Sequence, residues 1–358
     1  MMLLSRLDRY VGSHILGAFF VVMLVLLGLM GISMVLEELG DVNDRYPLSA
    51  ALYYVLLSLP AMAYQLLPLG ALTATLVGLG ILASSSELTV MRASGLSLNR
   101  LILTVIKPVL LLAAAALLLT EFAVPVAQQS AEGFKIERQG ARAAAERQAG
   151  AWYRERDAFI HVDAILPSGE LIGVTQHRFD ADSRLLERLS AKSAQYDGAS
   201  WTLADVQRVT FADDSSAMNI ESLPALHWKT ELTPELLSVV LVEPRYLPVS
   251  DLGEYSSYLR QQGVDPKRYD LAYWNKMLQP LSIIALVLVG TAFIFGPLRS
   301  VTVGQRILTG VIVGLVFKFS QDLLAPASQV LGFAAFWAAL IPILVSLAFA
   351  LYMLARVR

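Results

Sequence analysis

The residues best arranged for chemistry lie in the segment Ser84–Arg100, which reads SSSELTVMRASGLSLNR. Ser84 to Ser86 can cap a helix N-terminus and Glu87 falls in its first turn. Leu88, Met91 and Ala93 can share an apolar face, and Gly95 supplies a stop. An acid at the start of a short amphipathic helix favours the helix dipole, and it can also be offered to another protein. Basic residues form two further groups. Lys318 is followed four residues later by Asp322 on the same helical face, inside an otherwise apolar stretch. Lys135 is followed by Arg138 and Arg142 at one and two helical turns. Ionisable groups at membrane depth are costly, so Lys318 needs a carboxylate partner, a cavity or both.

Other chemistries lack their residues. The sequence has no cysteine, so disulfides and thiolate metal sites are excluded. His14, His161, His177 and His227 are scattered without metal-ligand spacing, and H-E-x-x-H is absent. Glu37, Asp41 and Asp44 cluster, but no histidine accompanies them, which leaves a lipid-modifying enzyme without an acid–base constellation. No G-x-x-x-x-G-K-[ST] occurs, so nothing cradles ATP phosphates in the P-loop manner. A net charge of −2 gives no basic field for nucleic acid.

The elements that must position these residues are membrane helices. Of 358 residues, 56% are hydrophobic and only 16% charged, against about 25% charged in soluble domains. Stretches long enough to span run from Ile15 to Leu36, through the uncharged Tyr46–Ser86, and from Leu101 to Phe122 with Lys107 inside. Met277–Leu298, Ile307–Leu324 and Leu331–Ala355 complete six. The first is too long for a cleavable signal and is expected to stay as an anchor.

Tyr46–Ser86 is long enough for one span or two. With one span, bent or tilted by Pro60 and Pro68, Arg6, Arg9, Arg92, Arg100, Arg299, Arg306, Arg356 and Arg358 all fall on one side. The short opposite loops then carry Arg45 alone beside Glu37, Glu38, Asp41 and Asp44. That is the positive-inside pattern, so one span, cytoplasmic termini and an outer segment from about 125 to 270 are expected.

The outer segment begins with a helical continuation of the third span, Gln128–Gln148. Alternating stretches follow at Phe159–Ile165, Leu171–Phe179, Leu185–Tyr196 and Trp201–Phe211, with Asp197-Gly198 as a hairpin turn. A helix at Asp251–Gln262 leads back to the membrane. The expected fold class is membrane α + β. Residues 1–124 hold three transmembrane helices with a short amphipathic helix at 84–95. Residues 125–270 hold an extracytoplasmic β-jelly roll or sandwich, and 271–358 hold three more spans.

SELTVMRASG, the preceding LPLGALTATLVGLGILA, WKTELTPELL at 228–237, NKMLQPLSI at 275–283 and FGPLRS at 295–300 together resemble the LptF/LptG lipopolysaccharide export permeases. The likeness runs from LDRY at 7–10 to the last span, and FGPLRS and WKTELTP favour its LptG branch. The resemblance implies the permease subunit of an ABC transporter in the Gram-negative inner membrane, paired with LptF. Two copies of the ATPase LptB sit beneath, and LptC receives lipopolysaccharide at the periplasmic bridge. ATP and magnesium belong to the ATPase, so this chain holds no cofactor and is not itself an enzyme.

In that family SELxxMxASG is the helix that couples to the motor. Glu87, Leu88, Met91, Arg92, Ala93, Ser94 and Gly95 inherit this role by resemblance, with Glu87 transmitting the stroke. Lys135 matches a basic position near the lipid phosphates, and Arg138, Lys318 and Arg45 are the other candidate cations. All of these also fit plain snorkelling to headgroups. Phe19, Val22 and Leu26 of the first span and Val311 and Leu315 of the fifth are candidate wall residues. The chain departs from the family in having Met34 and Ala61 where lysines are expected. Two other functions share these features, a permease for another lipid or lipoprotein and a scaffold that only docks partners. The segment Ser84–Arg100 argues against the scaffold, since a passive anchor needs no amphipathic helix there.

Overall fold

The computed structural model describes residues 6–139, 151–155, 157–165, 169–180, 182, 184–198, 200–211, 218–230, 232–234, 243–261, 265–296 and 301–356. Arg142 and the expected helical residues 140–148 lie outside these, as do Arg299 and Arg358. Helix α1 covers Arg6–Glu38 and closes in a 3-10 turn, Leu39–Asp41. Next come α2 (Leu48–Ser84), the short α3 (Glu87–Ala93) and α4 (Leu98–Leu118). A π turn, Leu119–Ala123, joins α4 to α5 (Val124–Gln139). Six strands follow, and then α6 (Val249–Gln261), α7 (Lys267–Phe295), α8 (Val303–Leu331) and α9 (Ala335–Ala355).

Among the described residues, six helical stretches are long and apolar enough to cross a membrane. The uncharged run folds as one helix, α2, with Pro60 and Pro68 inside it. Each proline removes one backbone donor, which a membrane helix tolerates when neighbours pack around it. The caps follow from sequence. Ser97 Oγ accepts from the Arg100 N–H to start α4. Thr302 and Gln305 form a capping box on α8, and Gly332 at φ +74° ends it.

The chain forms two compact units, one of Met1–Met34, Ser58–Val126 and Pro244–Arg358, the other of Val35–Leu57 and Ala127–Glu243. In the first unit α2 has the most buried apolar window of the six candidate spans. The most apolar window of α2 is 72% buried, whereas those of α1 and α8 are each 17% buried. Helix α1 meets α2 through the stripe Val11, Ile15, Phe19 and Met23, spaced by four. A Cβ on Gly78 would stand 2.9 Å from the His14 carbonyl oxygen and 3.1 Å from Ile15 Cα, so the two backbones touch there.

In the second unit, β1 (Ala151–Glu155), β2 (Ala158–Ile165), β3 (Leu171–Phe179), β4 (Leu185–Tyr196), β5 (Trp201–Phe211) and β6 (Met218–Trp228) form one antiparallel sheet in the order β1-β2-β3-β4-β5-β6. Three of the four expected strands have their observed ends, and β1 and β6 are additional. The described strands make an up-and-down meander, without the crossed connections of a Greek key. The cause is local, since each strand turns straight back on its neighbour. Between β4 and β5, Gly198 takes φ +97° and Asp197 Oδ1 accepts from the Ser200 N–H at 2.7 Å.

The sheet carries a crease. Val162, Val174, Ala191, Val206 and Leu223 pair in succession as one apolar rung, and Leu171, Ala194, Leu203 and Leu226 form another. The rungs lie three residues apart along each strand, where a regular pleat allows only even spacings. The alternation therefore resets along a line through Asp163, Gly173, Lys192, Asp205 and Pro224. Gly173 at φ +64° and Asp205 at φ +51° adopt the backbone that the reset needs. Both rungs join a single core with Trp201, Trp228 and Leu232, and Trp201 Nε1 donates to the Leu232 carbonyl at 2.7 Å.

The α1–α2 approach yields a test. Gly78→Ala should cost roughly 1–3 kcal/mol, because the added methyl meets backbone. Gly17→Ala and Gly28→Ala, whose methyls would meet nothing within 4 Å, should be neutral. Thermal midpoints of the detergent-solubilised variants would separate the two classes.

Candidate functional site

Helix α3 is where sequence and geometry meet most closely. Ser86 precedes it at φ +63°, a left-handed conformation, and makes no side-chain cap. The expected serine cap is therefore replaced by a sharp turn out of α2. Leu88 is buried and Met91 packs against the bundle core, while Thr89, Val90, Ala93, Ser94 and Gly95 are exposed. Ala93 thus leaves the apolar face expected for it, because three residues separate Val90 from Ala93 and set both on the outer side. Arg92 is half-buried in the last turn. Gly95 at φ +94° ends the helix, and the Leu96 N–H returns to the Met91 carbonyl.

Glu87 is held on both oxygens. Tyr10 on α1 donates to Oε2 at 2.7 Å, and Ser85 donates to Oε1 at 2.9 Å. These bonds, Tyr10's first, keep the Glu87 carboxyl below its ordinary pKa. Two more polar links brace the same unit. Asp8, fully buried, accepts from Thr104 Oγ1 at 2.9 Å and pairs with Lys107 at 2.5 Å and Arg100 at 3.2 Å, tying α1 to α4. Arg306 Nη1 of α8 donates to the Gly80 carbonyl of α2 at 2.5 Å. A Cβ on Gly80 would stand 2.7 Å from that nitrogen, so glycine makes the room. Burial of Arg306 differs from the exposed loop position expected of it.

Lys135 lies in the second unit. Its Nζ pairs with Glu38 at 2.6 Å and Asp41 at 3.3 Å, over the ring of Tyr54 at 4.7 Å. Glu38 is also bound by the Tyr46 hydroxyl at 3.0 Å, and burial followed by that bond raises the Tyr46 pKa. Arg138 is exposed and reaches over Phe134, and Arg45 is exposed on the turn before α2.

Lys318 is half-exposed in the first unit and binds both oxygens of Asp322, at 2.6 and 2.8 Å. Val22, Leu26 and Val311 are half-buried and Leu315 is exposed. Phe19 instead faces inward, since it belongs to the +4 stripe that packs on α2. Met34 and Ala61 bring no charge to α1 and α2.

Sequence reasoning missed Tyr10, Asp8 and Lys276. Lys276, buried in α7, donates to the Leu247 carbonyl at 2.5 Å, beside a segment anchored where Glu121 accepts from the Val249 N–H and the Ser250 hydroxyl. For Lys276 the available signal was a charge set one position before an apolar run.

Six candidate spans, an antiparallel sheet between the third and fourth, and a short acid-headed helix between two spans define a multi-pass membrane protein of the α + β class. Residues 9–356 match the family described as lipopolysaccharide export system permease LptF/LptG. The chain is 33% identical to the lipopolysaccharide export system permease protein LptG of Haemophilus influenzae, over 99% of this chain and all of the relative. It is 32% identical to the protein of the same name from Escherichia coli K12, over 94% of each. The chain belongs to the LptF/LptG permease family.

The Asp8 cluster gives a second test. Asp8→Asn should destabilise the solubilised chain by roughly 1–3 kcal/mol, because two cations lose their shared anion. Lys107→Met should cost less, since Arg100 and Thr104 remain. Thermal midpoints of the two variants check the order.

Proposed function

We propose that this chain is the transmembrane permease subunit of an ABC transporter that takes lipopolysaccharide from the inner membrane and passes it to a periplasmic bridge. The family match across residues 9–356 carries this reading. ATP hydrolysis, with its magnesium ion, takes place on a separate ATPase, an LptB dimer. The permease partner is LptF, and LptC receives the cargo. Both termini face the cytoplasm, three spans lie on either side of residues 125–270, and the sheet stands in the periplasm as this chain's part of a jelly-roll conduit. The loop arginines support that orientation.

In this reading α3 is the coupling helix. Leu88 and Met91 seat it on the bundle, and Glu87, Val90, Ala93 and Ser94 are offered to the ATPase. The outward faces of α1 and α8, with Leu26, Val311 and Leu315, contribute to the lipid wall. Lys135, Arg138, Arg45 and Lys318 meet the anionic headgroup, where lipid phosphate exchanges with Glu38 and Asp41 on Lys135 and with Asp322 on Lys318.

The direct test co-expresses this chain with an LptF and an LptB and measures ATPase in lipopolysaccharide-containing nanodiscs. Glu87→Ala should abolish either ATPase capture or lipopolysaccharide stimulation. A mutant that matches wild type would remove the coupling assignment.

Headgroup exchange predicts opposite effects within one ion pair. Glu38→Gln should tighten lipopolysaccharide binding a few-fold by leaving Lys135 only Asp41 as a carboxylate partner, and Lys135→Ala should weaken it about tenfold. Titration of the solubilised complex with lipopolysaccharide reads both. Unchanged affinity in the two variants would place the phosphate contacts elsewhere.

A further inference from the structure

We propose that Tyr10 is a positioning residue for Glu87, fixing the direction of its carboxylate and making α1 and α3 a single mechanical piece. The proposal rests on the coupling role given to Glu87 above.

Three observations carry it. The Tyr10 hydroxyl lies 2.7 Å from Glu87 Oε2, although 77 residues separate them, so a long-range contact has been built where a short side chain would leave the acid free to rotate. The other oxygen is taken by Ser85 at 2.9 Å, which leaves one carboxylate plane defined by two donors on different elements. Tyr10 is itself fixed. His14, one turn along α1, stacks its ring edge-on at 4.6 Å and contacts the Tyr10 carbonyl at 2.9 Å.

The backbone makes this arrangement meaningful. Ser86, between the two residues that bear on each other, sits at φ +63° and makes no side-chain cap. The hydroxyl of Tyr10 adds a polar restraint from α1 to the apolar seating of Leu88 and Met91. A push on Glu87 is then felt at the start of the first span as well as at the end of the second. A carboxylate already oriented by neutral donors keeps its full negative charge for a cation on the motor and loses no rotamer freedom when the motor binds. The groups that bear on Glu87 are Tyr10 and His14 from α1 and Ser85 from the turn. The two hydroxyls and His14 all favour its ionised form.

The experiment uses the full complex with its permease partner and ATPase in lipopolysaccharide-containing nanodiscs. Tyr10→Phe removes only the hydroxyl. Expected are normal co-purification of the ATPase, a roughly three- to tenfold loss of lipopolysaccharide-stimulated hydrolysis, and an acid limb of the pH profile moved to higher pH. The sign follows from the bond that is lost. Without its largest depressing contact the Glu87 carboxyl takes up its proton at a higher pH. In a Glu87→Gln background Tyr10→Phe should have no further effect.

If Tyr10→Phe matches wild type while Glu87→Gln is impaired, the positioning role is wrong and the coupling role stands. A Tyr10→Phe loss that persists in the Glu87→Gln background, or leaves the acid limb unmoved, also overturns it, because the hydroxyl then acts by another route. If Glu87→Gln matches wild type, the coupling role falls and takes this proposal with it.

Discussion

Close approach of α1 and α8 to α2 sets what the rest of the bundle can do. Lipid is as apolar as leucine, so helices in a membrane gain little from hiding apolar surface and associate through tight packing. At Gly78 the backbone of α2 touches that of α1, and at Gly314 the backbone of α8 lies so near Leu69 that a Cβ would meet its side chain. These contacts leave one rotation for each helix. Phe19 turns inward with Val11, Ile15 and Met23. The opposite faces of α1, with Phe20, Leu24 and Leu29, and of α8, with Leu308, Leu315 and Phe319, are left exposed. An apolar face that none of the described residues covers must meet lipid, a second chain or cargo.

Charge is handled by pairing. Asp8 is shared by Lys107 and Arg100, Arg306 is seated on a backbone carbonyl, Lys318 is held by Asp322, and Lys135 is held by Glu38 and Asp41. A buried pair gives little net stability, because desolvating both partners cancels much of their attraction. It does fix register, since breaking it leaves a charge uncompensated. Asp8 and Arg306 serve that purpose near the α3 segment, locking α1 to α4 and α8 to α2. Lys318 is half-exposed, so its partner can be exchanged at low cost. A cargo bearing phosphates meets lysines that are already neutralised, and on the proposed reading it must replace a carboxylate rather than add to a bare charge.

Much of this was legible in the sequence, for identifiable reasons. The spans are long apolar runs, and α2 was read as one helix because loop arginines rule out a second crossing. Strands β3, β4 and β5 were legible because alternation and an Asp-Gly turn are local signals. Helix α3 was legible in its Gly95 stop and its Leu88 and Met91 contacts. Tyr10 was not, because its partner lies 77 residues away and nothing in LDRY distinguishes a structural phenol from one bound to a carboxylate. Phe19 was misplaced because any apolar residue on a membrane helix fits both faces until a neighbour's backbone chooses one. The π turn at Leu119–Ala123 carries no composition signal, although it lets Glu121 accept the first N–H of α6.

The sheet shows how a local pattern and a global expectation can both hold in part. A flat sheet of six strands has one buried face, and a regular pleat would carry its apolar residues at even spacings from end to end. Here the spacing becomes odd along one line, with Gly173 and Asp205 in the left-handed region on that line. A Cβ on Gly173 would collide with the Asp163 carboxylate, so the strands are closer at the reset than a side chain allows. The rungs on its two sides nonetheless belong to one core. A meander can therefore converge on a shared interior without the long crossings that a Greek key requires. Strand patterns determined which face is apolar, while the crease decides how that face is enclosed, and only the second depends on backbone angles that periodicity does not reveal.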